Sequence, residues 1–337
     1  MTRVKVKKIL LIGLGSIGQR HARLLKESFP EIDLVALTSK NNLQLESTID
    51  HFVENLEEAI ALNPQAAIIC NPASEHISTA IPLAKKGIHL LIEKPLSNQW
   101  QDTSKLLEIV EDRNLKVIVG YNLRFLESMQ FFKKEISKKT LGKIYSIRSE
   151  VGQDLQTWRP GTDYRSSVSA NRNLGGGVLL ELSHEIDYLT WIFGRVDWVF
   201  GFTARVSKLK IDVEDLAQVL MKFVPSTNQP NLIVNLTLDF IRKDRKRQCS
   251  VVGEKGTLIW DGISNEVNLY KDGLWRNMFK QDPDPDLSYK TELGHFIDCI
   301  ESNKSPVSSL PSAIECLKII DSINKSSQKN KSFLVKY

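Results

Sequence analysis

The chain has 337 residues, of which 42% are hydrophobic and 25% charged, with a formal net charge of +5. These are ordinary proportions for a globular protein and exclude a disordered or fibrous class, while the length exceeds what one small core serves, so two domains are expected. A charge of +5 spread over this length suits a phosphorylated or otherwise anionic small molecule and does not by itself point to nucleic acid.

The N-terminal sequence MTRVKVKKILLIG carries basic residues ahead of apolar ones, but its apolar run is short and ends in a glycine turn. It reads as a first strand and not as a cleaved leader. From Lys8 to about Val119, the short β-rich runs KILLIG, DLVAL, AAIIC, HLLIE and KVIVG alternate with helix-like stretches starting at Ser16, Leu56, Glu75 and Gln99. That alternation is the pattern of a doubly wound parallel sheet with helices on both faces.

The texture changes after Tyr121. A helix-like stretch from Leu126 to Ser137 leads to a strand, IYSIRSEV, and then to a polar loop from Gln153 to Asn173. Gly175 to Gly177 precede an apolar helical segment, VLLELSHEIDYLTWIF, and strand candidates follow from Val196 to about Tyr270. A last helix from Pro311 to Ser326 precedes SFLVKY, which can close as a strand. The expected class is α/β, with residues 1–121 as a doubly wound domain and residues 122–337 as an α+β domain bearing an open, largely antiparallel mixed sheet. The last helix is free to pack back on the first domain.

The apolar runs Ile9–Ile12 and Ala66–Cys70 fall far short of the roughly 20 residues of a membrane helix, so no membrane partner is expected. Cys70, Cys249, Cys299 and Cys316 lack metal-ligand spacing and read as buried free thiols of a reducing cytoplasm. Cys299 near His295 lacks the further ligands of a zinc site, and no metal is expected. The basic run from Arg242 to Arg247 lies between two strand candidates, has no recognition module around it, and reads as a solvated hairpin rather than a nucleic-acid site.

Directly after KILLIG, Gly13, Gly15 and Gly18 form GxGxxG and open a helix-compatible segment. A dinucleotide site needs this arrangement: the first glycine permits the turn, the second lets backbone approach the pyrophosphate, and the third packs helix on strand. Leu14, Ser16 and Ile17 complete the turn that places the helix N-terminus at the phosphates. At the end of the second strand, where an acidic residue often holds the ribose 2′-hydroxyl, the sequence reads Thr38, Ser39, Lys40. Two hydroxyls and an ammonium favour a 2′-phosphate, hence NADP over NAD.

GLGSIGQRHA, NPASEH at 71–76, EKP at 93–95, GGGVLLELSHEID at 175–187 and VVGEKGTLIWDG at 251–262 together resemble the Gfo/Idh/MocA oxidoreductases along nearly the whole chain. The resemblance implies a Rossmann domain followed by a domain whose open sheet usually builds a homodimer or homotetramer, with a carbohydrate substrate between domains. It implies that Lys94 is the proton-handling residue near the nicotinamide ribose, that His184 faces the substrate, and that Asn71, Pro72 and His76 line the cofactor, with Glu93 and Asn122 beside them. Independently, Lys94 follows an apolar strand at its carboxyl end, where doubly wound sheets bind ligands. A lysine beside a cationic ring and partly out of water loses its proton more readily, which suits acid–base work.

Taken as one helix, the segment 178–193 places Glu181 three residues before His184 and Asp187 three after it, all on one face. Many relatives carry an aspartate four residues before the histidine; here that position is Leu180, so Glu181 either replaces it or forms an ion pair. Arg124, Trp158, Arg159 and Tyr164 supply the arginines and aromatics that suit sugar faces and anionic groups, against ordinary loop packing as the alternative. The expected activity is hydride transfer to or from a ring hydroxyl or ketone of a sugar or nucleotide-sugar derivative, in a surface-polysaccharide pathway. Two alternatives stand beside it: elimination or glycoside cleavage through transient oxidation with a retained cofactor, and a non-catalytic dinucleotide-binding sensor or repressor.

Overall fold

Six short strands, β1 (Lys8–Ile12), β2 (Asp33–Leu37), β3 (His51–Val53), β4 (Ala66–Ile69), β5 (His89–Ile92) and β6 (Val117–Val119), form a sheet in the order β3-β2-β1-β4-β5-β6. Every pairing in it is parallel. The computed structural model describes residues 5–38, 47–159, 161–225 and 231–337. Ile9, Leu10, Leu11, Leu90 and Leu91 are fully buried, as expected for strands covered on both faces. The covering helices are α1 (Ser16–Ser28), α2 (Leu56–Ala61), α3 (His76–Lys85) and α4 (Thr103–Asp112). Sequence patterning misses β3, a three-residue strand at the sheet edge whose Phe52 is exposed, so no apolar run marks it.

The chain divides into two units, Met1–Asn122 with Pro285–Ile314, and Leu123–Asp284 with Glu315–Tyr337. The assignment of all of 122–337 to the second domain is therefore corrected, because residues 285–314 belong with the parallel sheet. The reason is α8 (Leu287–Glu301), a helix the sequence reading passed over. Its Leu293, Phe296, Ile297 and Ile300, spaced three and four apart, join Ile9, Leu11, Leu24, Leu25 and Leu34 in one buried cluster. Each such side chain contributes about 1.5–3 kcal/mol of transfer free energy.

The second unit holds α5 (Glu127–Ser137), β7 (Ile144–Gly152), α6 (Val178–Glu181), α7 (His184–Phe193) and strands β8 (Val196–Ala204) to β14. The intervening strands are β9 (Leu216–Phe223), β10 (Ile233–Asp239), β11 (Lys246–Gly253), β12 (Gly256–Asp261), β13 (Glu266–Lys271) and β14 itself (Leu274–Lys280). Helix α9 (Leu310–Lys329) crosses the division between units, and β15 (Phe333–Leu334) closes the tail as a strand on β8. The sheet runs β14-β13-β12-β11-β7-β10-β9-β8-β15, with β7 and β10 as its one parallel pair.

Period-two alternation selects the core face: Ala217, Val219, Met221 and Phe223 of β9 are buried while Gln218 and Leu220 face out. Helix α7 covers this face through Tyr188 edge-on to Trp260 and Phe193 edge-on to Phe223. The Tyr188 hydroxyl also shares a 2.6 Å hydrogen bond with Ser149 Oγ.

One sequence expectation changes here. The segment 178–193 is not one helix, because the chain turns at Leu182–Ser183 between α6 and α7. The basic run joins β10 to β11 and is exposed over residues 243–245 as expected, while four of its basic residues also pair with carboxylates. Arg242 and Lys246 both meet Glu150 at 2.8 Å, Lys243 meets Asp154, and Arg247 meets the fully buried Glu185 at 2.9 Å.

Candidate active site

The glycine turn shows why its residues cannot carry side chains. Gly13 sits at φ +87°, and a Cβ there would lie 2.8 Å from Asn71 N; a Cβ on Gly18 would lie 1.9 Å from Gly13 O. First and third glycines are thus committed to the fold, bringing α1 against β1 and β4. Gly15 differs: a Cβ there would meet nothing within 4 Å, and its backbone is exposed. It is also the N-cap of α1, with no side-chain cap and no acidic residue in the first turn. The unsatisfied N–H groups and positive dipole end of α1 are therefore available to an anion, with Ser16 exposed beside them. Leu14 and Ile17 turn inward onto the core.

β4 ends beside this turn. Asn71 donates through Nδ2 to Thr79 Oγ1 at 2.9 Å and to Glu75 Oε2 at 3.2 Å. His76, almost wholly buried, places Nδ1 2.9 Å from Pro95 O and Nε2 2.8 Å from Asn71 O. Burial pushes its pKa down, while the two carbonyls favour the proton. His76 thus pins the Asn71–Pro72 corner to the Lys94–Pro95 turn from beneath, instead of presenting its ring at the surface.

Lys94 follows β5 at the carboxyl end of the parallel strands, half-buried, before a cis peptide to Pro95. Glu93 is buried; its Oε1 meets His21 Nε2 of α1 at 2.7 Å, and its Oε2 accepts the Lys94 amide at 3.2 Å. Among the described residues, His21, Glu93 and Glu292 form the one group whose ligand atoms lie within 4.8 Å of each other, but Nε2 and Oε1 are already engaged with one another. Glu93 thus supports the lysine turn from inside the fold. Asn122 is likewise inside, donating to Ser288 Oγ at 2.9 Å. Thr38 N approaches Val53 O at 3.4 Å, and Ser39 and Lys40 lie outside the described residues.

In the second unit, His184 is the first residue of α7 and is mostly buried. Glu181 ends α6, on the other side of the turn, so the three-residue spacing that was expected to align it with His184 on one helix does not apply. Asp187 and Arg124 form a buried two-pronged pair at 2.9 and 2.6 Å, and Arg124 also lies 5.5 Å from the Trp191 ring centre. Burial raises the Asp187 carboxyl and Arg124 opposes that shift. The charged ends of these two candidates face each other.

Trp158, Arg159 and Tyr164 lie together around a small pocket in the loop after β7, with Ser169. That loop rests on the glycine turn: Gly177 N donates to Ser169 O at 3.2 Å, and a Cβ on Gly176 would fall 2.3 Å from Val168 O. Glu214 packs under the same turn, where Leu179 N donates to its Oε1 at 3.2 Å. Sequence reasoning missed His21, Ser169 and Glu214. Of these only His21, one helical turn past Gly18, stood in a recognisable motif.

Residues 7–121 match the "Oxidoreductase family, NAD-binding Rossmann fold" and residues 129–259 the "GFO/IDH/MocA C-terminal domain". The chain belongs to the Gfo/Idh/MocA oxidoreductase family. Its first unit is the NAD-binding Rossmann fold of that family, and the glycine geometry fits such a ligand. The chain is 26% identical over 319 residues to the myo-inositol 2-dehydrogenase of Thermotoga maritima, covering 89% of this chain and 90% of that one. To an uncharacterized oxidoreductase of Synechocystis it is 28% identical over 237 residues, which span 64% of this chain but 61% of that protein. The fold matches, with TM-score 0.82 and 20% identity, the WlbA dehydrogenase from Bordetella pertussis in complex with NADH and UDP-GlcNAcA, covering 99% of this chain and 100% of that one. No helix among the described residues is long and apolar enough to cross a membrane.

Proposed function

We propose that this protein transfers a hydride between NADP(H) and a ring hydroxyl or ketone of a sugar or nucleotide-linked sugar, with Lys94 moving the hydroxyl proton and His184 orienting or sharing it. The observation that carries the reading is the division of labour in the glycine turn, where Gly13 and Gly18 are filled by the fold and Gly15 is left open at an uncapped helix N-terminus. Bound there, the dinucleotide supplies the hydride donor or acceptor.

The chain's own contribution is geometry and a proton. Backbone N–H groups of residues 15–18 hold the pyrophosphate, and Asn71 and Pro72 border it. Lys94 gives its proton to the carbonyl oxygen as the ketone is reduced, and takes it back as the alcohol is oxidised. His76 and the His21–Glu93 link hold the backbone of that lysine in place. The preference for NADP over NAD rests on the sequence Thr38-Ser39-Lys40, which offers no carboxylate to the 2′ position.

Self-association fits the second unit. The outer face of its sheet exposes Phe200 and Leu220, a cross-strand pair, with Phe202 beside them on β8. Exposed aromatic and aliphatic side chains grouped on a sheet face mark an association surface, and the partner proposed is a second copy of the chain, as a dimer or tetramer.

The deciding experiment is turnover by Lys94→Ala, followed at 340 nm with a panel of free and nucleotide-linked sugars. The wild type changes absorbance with its substrate. The variant binds NADPH within about threefold of wild type and loses at least roughly 100-fold in kcat, the scale of one acid–base group. Unimpaired turnover by the variant overturns the role of Lys94. Product formation with flat absorbance points to the retained-cofactor alternative instead.

A further inference from the structure

The support under Lys94 begins on a helix away from the lysine's own strand. His21 lies on α1 and is fully buried. Its Nε2 meets Glu93 Oε1 at 2.7 Å, and Glu93 Oε2 in turn accepts the Lys94 amide at 3.2 Å. His21 Nδ1 has no hydrogen-bond partner among the described residues. The imidazole thus directs its hydrogen bonding at Glu93 alone among those residues, and Glu93 passes the constraint to the lysine turn.

Both members of this link are held with little slack. The His21 ring stands edge-on to Tyr289 of α8, with centroids 5.8 Å apart. Beside the Glu93 carboxyl group runs the backbone of Gly120, where a Cβ would come within 3.0 Å of Oε2. Glu93 N also donates to Ile69 O at 2.9 Å, which ties the end of β5 to β4. A buried carboxyl group deprived of a hydrogen bond must shift to find another, because leaving it unpaired is strongly unfavourable. Such a shift moves the Lys94 backbone with it.

The helix that carries His21 is also the one whose open N-terminus, at Gly15, is assigned to the pyrophosphate. Gly15 and His21 are six residues apart, about 9 Å along the helix. We propose that His21 is a positioning residue for the hydride transfer: through Glu93 it fixes the backbone at Lys94, and because it rides on α1 it keeps that lysine at a constant distance from the dinucleotide at the head of the same helix. This rests on the reading of Lys94 as the proton-transferring group. It goes beyond that reading by assigning part of the rate to a buried side chain that touches neither dinucleotide nor sugar.

The test is a double-substitution cycle on the full chain, with kcat and KM followed at 340 nm on the sugar that the wild type turns over and NADPH affinity followed by fluorescence. His21→Phe keeps a ring against Tyr289 but removes the hydrogen bond. It lowers kcat roughly 10- to 100-fold, the scale of a misplacement of about 1 Å, with KM and NADPH affinity within about threefold of wild type. His21→Gln, which keeps an amide for Glu93, recovers most of that loss. Glu93→Gln loses kcat on the same scale, and adding His21→Phe to it costs little more, because both substitutions break one link. A side chain that merely stabilises the fold lowers the melting temperature and leaves kcat of the folded protein unchanged. Wild-type kcat in His21→Phe, or losses that multiply in the double variant, overturn the proposal. If His21→Phe does not fold, the contrast between a near-normal His21→Gln and a slowed Glu93→Gln decides, and a normal Glu93→Gln overturns it. Lys94→Ala is run alongside. Loss of turnover there with normal His21 variants removes only the positioning role, whereas an unimpaired Lys94→Ala, or a wild type that turns over no sugar, removes the underlying reading and this proposal with it.

Discussion

Substituting Gly18 and Gly15 separately by alanine gives two opposite outcomes, because the structure assigns these glycines different work. A Cβ on Gly18 would stand 1.9 Å from Gly13 O, against an ordinary carbon–oxygen contact of about 3.3 Å. The turn and α1 must therefore separate by roughly 1.4 Å. The turn cannot yield freely, since the space beside Gly13 is filled: a Cβ there would stand 2.8 Å from Asn71 N and 2.9 Å from the Cys70 carbonyl group. Overpacking of this kind costs about 1–3 kcal/mol, only partly offset by a gain of up to about 1 kcal/mol in helix propensity. A backbone clash this close lies in the upper part of that range and leaves a net cost of about 1–2 kcal/mol, so at about 2–4 °C per kcal/mol Gly18→Ala lowers the melting temperature by roughly 2–8 °C.

Gly15→Ala behaves otherwise. Its backbone, at φ −69° and ψ −173°, accepts alanine, and the added methyl touches no protein atom within 4 Å. The melting temperature then stays within about 2 °C, while the methyl occupies the approach of the pyrophosphate and weakens NADPH binding roughly 10- to 100-fold, about 1.4–2.7 kcal/mol. Thermal melts and fluorescence titrations of both variants check this. A stable Gly18→Ala, or a Gly15→Ala that binds NADPH like wild type, refutes the assignment of the middle glycine to the ligand and the outer two to the fold.

Other outcomes follow from the same geometry. Burial raises the Glu214 carboxyl above its ordinary range, so its preference for the proton favours the folded state below the usual carboxylate pKa, and that advantage is lost as pH rises through the folded value. Glu214→Gln should therefore melt higher than wild type at pH 7, with the gap closing below about pH 4.5; a gap that is constant with pH contradicts the assignment. Phe200→Asp places a charge on the exposed sheet face and should reduce the assembly measured by light scattering after gel filtration; a monomeric wild type, or an unaffected variant assembly, removes that face as the association surface.

Legibility of the fold followed the strength of the local signal. The other five strands of the first sheet were readable because their burial writes an apolar run, whereas β3, short and exposed at the edge, writes none. Helix α8 carries a clear three-and-four spacing of Leu293, Phe296, Ile297 and Ile300, but it lies after the second-domain strands, and chain order gives no sign that it returns to the first unit.

At the candidate site, motifs singled out Gly13, Gly15, Gly18 and Lys94 as candidates. They did not reveal that Arg124 and Asp187 are spent on each other, since an ion pair 63 residues apart leaves no local trace. Nor did spacing disclose the turn at Leu182–Ser183, because the apolar periodicity of 178–193 continues through it.

The most direct test of the central claim is titration of the purified protein with NADPH and, separately, NADH, read by nicotinamide fluorescence. The account predicts saturable binding of both, with NADPH the tighter at a Kd of roughly micromolar order. Tighter NADH would reverse the assignment of Thr38-Ser39-Lys40 to a 2′-phosphate, and a flat response to both would contradict the account as a whole.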